Sequence, residues 1–167
     1  MKLKGEQAIN RALNRWLRKY GFKARVRGMD TDFFWYNNSN TIGYSLLQSQ
    51  RSQEAWAILM TELNLRYEID SFWTCFLHEL GHSITWDQFT EEEIEESDRD
   101  KEWLAKSDKS SFAEDIYSLY FHLPVEIAAT EWAVRFINEN PQAVKILTKM
   151  VVPKIERFYK LNKINAD

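Results

Sequence analysis

"FLHELGHSITW", residues 76–86, sets two histidines and a glutamate inside a run that is otherwise almost wholly apolar. Apolar residues here form a helical ridge: Phe72, Phe76, Leu80 and Ile84 recur every fourth position. On a helix, residues four apart stand one above the other, so the imidazoles of His78 and His82 can reach a single point. Glu79 is turned by about 100° from His78, near enough to meet a water at that point without replacing a histidine. Shuffling this composition would produce H-E-x-x-H by chance in roughly 0.3% of chains, so the pattern favours a metal site over two satisfied core histidines. Two neutral imidazoles suit zinc, which takes about four ligands in a tetrahedron.

A third ligand must come from elsewhere. Thr85 and Gln88 stand where a longer pattern, with glycine and a third histidine, would need them. A carboxylate on a later helix is the better candidate, and Glu126 is the choice. It follows Pro124, which suits a first helical turn, and its neighbours Ala128, Ala129 and Ala133 are small enough for close helix packing. Asp87, Glu114 and Asp115 are the alternatives, and Cys75, three residues before His78, reads as a small core residue. For the group that stabilises developing negative charge the candidates are His122, Tyr120 and Tyr117.

Outward from this centre, the chain divides into a mixed first part and a helical second part, within a single domain over residues 1–167. "EQAINRALNRWLRKYGF" reads as an amphipathic helix with Ile9, Leu13, Trp16, Leu17 and Tyr20 on one face and Gly21 as its C-terminal cap. "KARVRGM", "DFFWY" and "TIGYSLL", with "NNSN" as a turn, predict about three strands in residues 1–50. From residue 51 onward helices dominate. They include one opening at Asp70 or Ser71, one beginning at Pro124 and stopping before Asn140, and a last one over 142–162 with a kink at Pro153. Sheet first and helices afterwards predicts an α+β fold.

Composition narrows the class. Hydrophobic residues make up 44% of the 167, and aromatics 14%, enough for a real core. A single cysteine excludes a disulfide scaffold, and no apolar run approaches the ~18 residues of a membrane span. The first ten residues lack the apolar core of a secretory signal, so a cytoplasmic protein is expected. Charge is unevenly spread: residues 1–27 hold nine Lys/Arg and one acid, while residues 91–102 hold eight acids. The acidic stretch reads as a surface helix or a flap over a cleft. Lys23, Arg25 and Arg27 fall on one strand face, a stripe that could meet nucleic acid or an acidic partner.

"HELGH" followed by "LPVEIAATEWAV" resembles zinc metallopeptidases whose third ligand is a glutamate on a following helix, and most closely the ImmA/IrrE family and small phage- or prophage-encoded metallopeptidase-like proteins. The resemblance covers about residues 70–138. It implies a zincin-like fold, a small mixed sheet packed on a helical bundle with the HExxH helix at its centre. It assigns Zn2+ to His78, His82 and Glu126, and the general-base role to Glu79. Many such proteins carry an acidic residue four positions after the glutamate to orient a histidine. Here that position is Thr130, so the orienting group is expected elsewhere, with Asp115 the candidate.

The leading expectation is a peptidase whose substrate lies extended along an edge strand, the one containing Tyr44 being proposed. The rival is a regulatory or nucleic-acid-binding module with a structural or vestigial zinc site. A mobility shift that weakens with salt would separate the two.

Overall fold

A computed structural model describes residues 3–29, 34–37, 39–46, 71–107 and 122–162. It is α+β and mostly helical: among the described residues, five α-helices and a three-stranded sheet. Helix α1 spans Glu6–Lys19. Strands β1 (Arg25–Met29), β2 (Trp35–Asn37) and β3 (Thr41–Tyr44) follow. Then come α2 (Ser71–Thr85), a short 3-10 turn at Trp86–Gln88, α3 (Glu91–Ser107), α4 (Pro124–Glu139) and α5 (Pro141–Leu161). No described helix is long and apolar enough to cross a membrane.

Helix α1 buries Ile9, Leu13, Trp16 and Leu17 as its pattern predicts, and leaves Arg11, Arg15 and Arg18 exposed. It ends at Gly21, whose φ of +76° suits a residue without a Cβ. The amides of Gly21 and Phe22 return to the carbonyls of Arg18 and Leu17, which satisfies the last turn. Trp16 is fully buried, and its indole N–H donates to the carbonyl of Ala143 at 2.9 Å, tying α1 to α5. Helix α5 continues through Pro153.

The sheet order is β1-β3-β2, with β1 parallel and β2 antiparallel to β3. The hairpin from β2 to β3 turns where "NNSN" predicts. Asn37 accepts from the amide of Ser39, and Asn40 takes the left-handed conformation at φ 56°. Gly43 in β3 leaves room for the indole of Trp35 opposite; a Cβ there would meet that ring at 2.1 Å.

One expectation is overturned here. The strand containing Tyr44 is not an edge but the central one, flanked on both sides. Tyr44 is fully buried, with its hydroxyl donating to Asn10 Oδ1 at 2.6 Å. The outer strand beside the HExxH helix is β2. On the far side, α1 covers the outer edge of β1. Asn14 pairs with both the N–H and the C=O of Val26, and Glu6 accepts from the amide of Met29. Glu6, Asn10 and Asn14 are spaced by four, so one polar stripe of α1 hydrogen-bonds to the sheet.

Helix α2 occupies the middle. It touches β2 and β3 on one side and packs along α4 on the other. Phe76 and Leu80 are fully buried, but Ile84 is 42% exposed. Four-residue steps overshoot the 3.6-residue turn by about 40° each, so the ridge has rotated out of the core by Ile84.

Candidate metal centre

The approach of α2 to α4 builds the site. Gly81 stands between the two histidines, against the backbone of α4. A Cβ at Gly81 would lie 2.4 Å from the carbonyl oxygen of Ala129. Ala129 and Ala133 are buried on the facing side of α4, as their size suggests. With nothing larger between them, the two backbones come close enough for short side chains to meet across the gap.

His78, His82 and Glu126 converge there, and each is at most 5% exposed. One ligand atom from each lies within 4.8 Å of the others. Glu126 Oε2 is 2.5 Å from His82 Nε2 and 3.5 Å from His78 Nε2. The imidazole rings are 4.7 Å apart and nearly perpendicular. Despite the short contacts, Glu126 Oε2 takes part in no aligned hydrogen bond among the described residues. Three donor atoms held this close in a buried pocket could share one bound cation. Two imidazole nitrogens and one carboxylate oxygen are donor types that divalent transition metals accept. The three residues are positioned to bind a metal ion.

The outer partners are only partly those expected. Thr130 itself supports His78: its hydroxyl oxygen lies 3.0 Å from Nδ1, and the residue is 1% exposed. The orienting group therefore does not have to come from elsewhere, because a hydroxyl one turn after Glu126 is within hydrogen-bond distance of the imidazole. A metal bound at Nε2 would leave the ring proton on Nδ1, within reach of the Thr130 hydroxyl. Asp115, proposed for this role, lies outside the described residues. His82 is braced differently: Tyr36 of β2 stacks on its ring at 6.0 Å and 17°, and Trp86 packs edge-on against Tyr36 at 5.3 Å.

Two carboxylates titrate in opposite directions. Burial opposes ionisation of Glu126, but the neighbouring His82 and His78 outweigh it and hold the carboxyl well below its usual range. Burial pushes Glu79 up to about 7; His78 and Lys101 draw it down, while Glu126 pushes it up.

Lys101 was missed in the sequence. Its ammonium lies 3.5 Å from Glu126 Oε1. The acidic stretch is a surface helix, opened by a reciprocal cap: Thr90 N–H donates to Glu93, and Glu93 N–H donates to Thr90 Oγ1. Its inward stripe is Ile94, Ser97, Lys101 and Leu104. A lysine on the inward stripe of a predominantly acidic helix was the signal available.

The remaining candidates fall as follows. His122 is exposed in the turn that precedes α4. Tyr120, Tyr117, Glu114 and Asp115 lie outside the described residues. Asp87 is exposed and Cys75 buried, and neither belongs to the three-donor cluster. Lys23, Arg25 and Arg27 are exposed, though the Arg25 guanidinium also donates to the carbonyls of Phe22 and Ala24.

A cleft of about 310 Å³ opens beside the site, lined by Gly21, Phe22, Lys23, Tyr36, Asn40, Ser83, Ile84, Trp86 and Asp87. Tyr36 is common to the cleft wall and the His82 stack, so the cleft abuts the donor cluster.

Comparison of the chain with protein-family models, with curated proteins and with solved structures finds no match.

Proposed function

We propose that the protein is a zinc-dependent peptidase with His78, His82 and Glu126 as ligands and Glu79 as general base. The observation that carries this reading is the convergence of two Nε2 atoms and one carboxylate oxygen in a buried pocket, with Glu79 on the intervening turn. The likeness of "HELGH" and "LPVEIAATEWAV" to the ImmA/IrrE family supports it. Zinc bound there would supply Lewis acidity, polarising a peptide carbonyl and making water acidic near pH 7.

The chain's own residues do the rest. Glu79 takes a proton from the attacking water and delivers it to the leaving amine, from its place on the turn between the two histidines. Thr130 holds His78 in the tautomer that presents Nε2. The substrate is an extended peptide seated in the cleft beside β2, one side chain against the apolar and aromatic surfaces of Phe22, Tyr36, Ile84 and Trp86. This places it by β2, not by the Tyr44 strand, which is internal.

The test is Glu79→Gln. Zinc content should match wild type, because Glu79 is not a ligand, while hydrolysis of peptide libraries should fall by at least about 100-fold. Hydrolysis that survives at the wild-type rate would remove Glu79 as the base.

A further inference from the structure

The three donors do not account for both oxygens of Glu126. Oε2 faces the imidazoles, and Oε1 faces the ammonium of Lys101 at 3.5 Å. The glutamate side chain is 3% exposed and the lysine 22%, so the pair is largely shielded from solvent. Resting on the metal-site reading above, we propose that Lys101 is a positioning residue: it holds Oε1 so that Glu126 offers the metal a single oxygen.

Two consequences of a lysine at this place oppose each other. A positive charge near a cation repels it, which weakens binding. Against that, Oε1 would otherwise be a buried carboxylate oxygen without its charge partner, and the carboxylate would turn to find another. The geometry decides for positioning. The carboxylate lies between the ammonium and the point where the imidazoles converge, so its own negative charge separates the two cations. Anchoring Oε1 also keeps it from joining Oε2 on the metal, which leaves one coordination position for water, as hydrolytic zinc sites require.

This gives the acidic helix a function. Most of α3 is exposed and its contact with α4 is slight. Its inward stripe carries one charged side chain, and that side chain ends at the third ligand. The helix is the arm that delivers Lys101.

The experiment measures zinc affinity of the full chain by competition with a chromophoric chelator, for wild type, Lys101→Arg, Lys101→Met and His82→Ala. Melting of the metal-free proteins checks that each is folded. Lys101→Met, which keeps the length without the charge, should bind zinc at least about 10-fold more weakly, the range found for groups that orient metal ligands. Lys101→Arg should restore affinity to within about 3-fold of wild type, since it keeps a cation at similar reach. Zinc binding by Lys101→Met as tight as wild type, or tighter, overturns the proposal and leaves the lysine only a repelling charge. Wild type that binds no better than His82→Ala overturns the metal site itself, and the positioning role with it. The two failures are therefore distinguishable.

Discussion

The hydroxyl of Thr130 sits 3.0 Å from Nδ1 of His78, joining α2 to α4 through two buried side chains 52 residues apart in sequence. Because Thr130 is one helical turn beyond Glu126, the same face of α4 supplies both a candidate metal ligand and a hydroxyl that contacts another. Thr130→Val keeps the shape and removes the hydroxyl. It should weaken zinc binding by about 10-fold or more, and loss of the buried hydrogen bond should cost about 1 kcal/mol of stability. Thr130→Ser should behave as wild type. Chelator competition and thermal melting measure both effects, and wild-type affinity in Thr130→Val would show that the contact does not orient the ring.

Gly81 makes a sharper prediction, because helix propensity and packing disagree. In an isolated helix, Gly81→Ala should stabilise by about 1 kcal/mol. Here the new methyl would lie 2.4 Å from the Ala129 carbonyl oxygen, a backbone atom that cannot move alone. Overpacking of this kind costs roughly 1–3 kcal/mol, so the variant should melt at lower temperature than wild type. It should also bind zinc more weakly, since α2 and α4 must separate. A variant that melts higher and keeps its affinity would mean the helices are not in close contact at Gly81.

Tyr44 predicts an alkaline limit to stability. Burial, with the charge of Glu6 nearby, raises its phenol well above the ordinary value near 10. In the unfolded chain the group titrates near 10; in the folded protein it stays protonated. Its contribution is therefore complete below about pH 10 and is lost as pH rises beyond that, where only the unfolded state gives up the proton. Wild type should lose melting temperature more steeply above pH 10 than Tyr44→Phe does. The variant should be about 1 kcal/mol less stable at neutral pH for want of the bond to Asn10. Parallel melting-versus-pH curves for the two proteins would refute the assignment.

Much of the site was legible in order of locality. The spacing of His78 and His82 needs only the geometry of one helix. The Gly21 cap, the apolar face of α1 and the "NNSN" turn likewise depend on residues within a few positions of one another. Glu126 could be chosen because small neighbours and a preceding proline mark a closely packed helix start. Reading failed where the answer lay across an interface. Thr130 looked like a missing acid because its distance to His78 is not a property of α4 alone. Lys101 looked like one more charge in a solvated run. Strand order is invisible to alternation, because central and outer strands obey the same period, so nothing local marks the Tyr44 strand as internal.

The amino-acid sequence alone therefore determined which residue types could bind a cation and on which helical faces they stand, since a helix repeats every 3.6 residues whatever surrounds it. Only the packed chain decided which faces meet. The contact at Gly81 sets the spacing of α2 and α4, and the docking of α3 brings an ammonium to the outer oxygen of Glu126. Those choices depend on burial and shape complementarity between segments far apart along the chain, and no local pattern carries them.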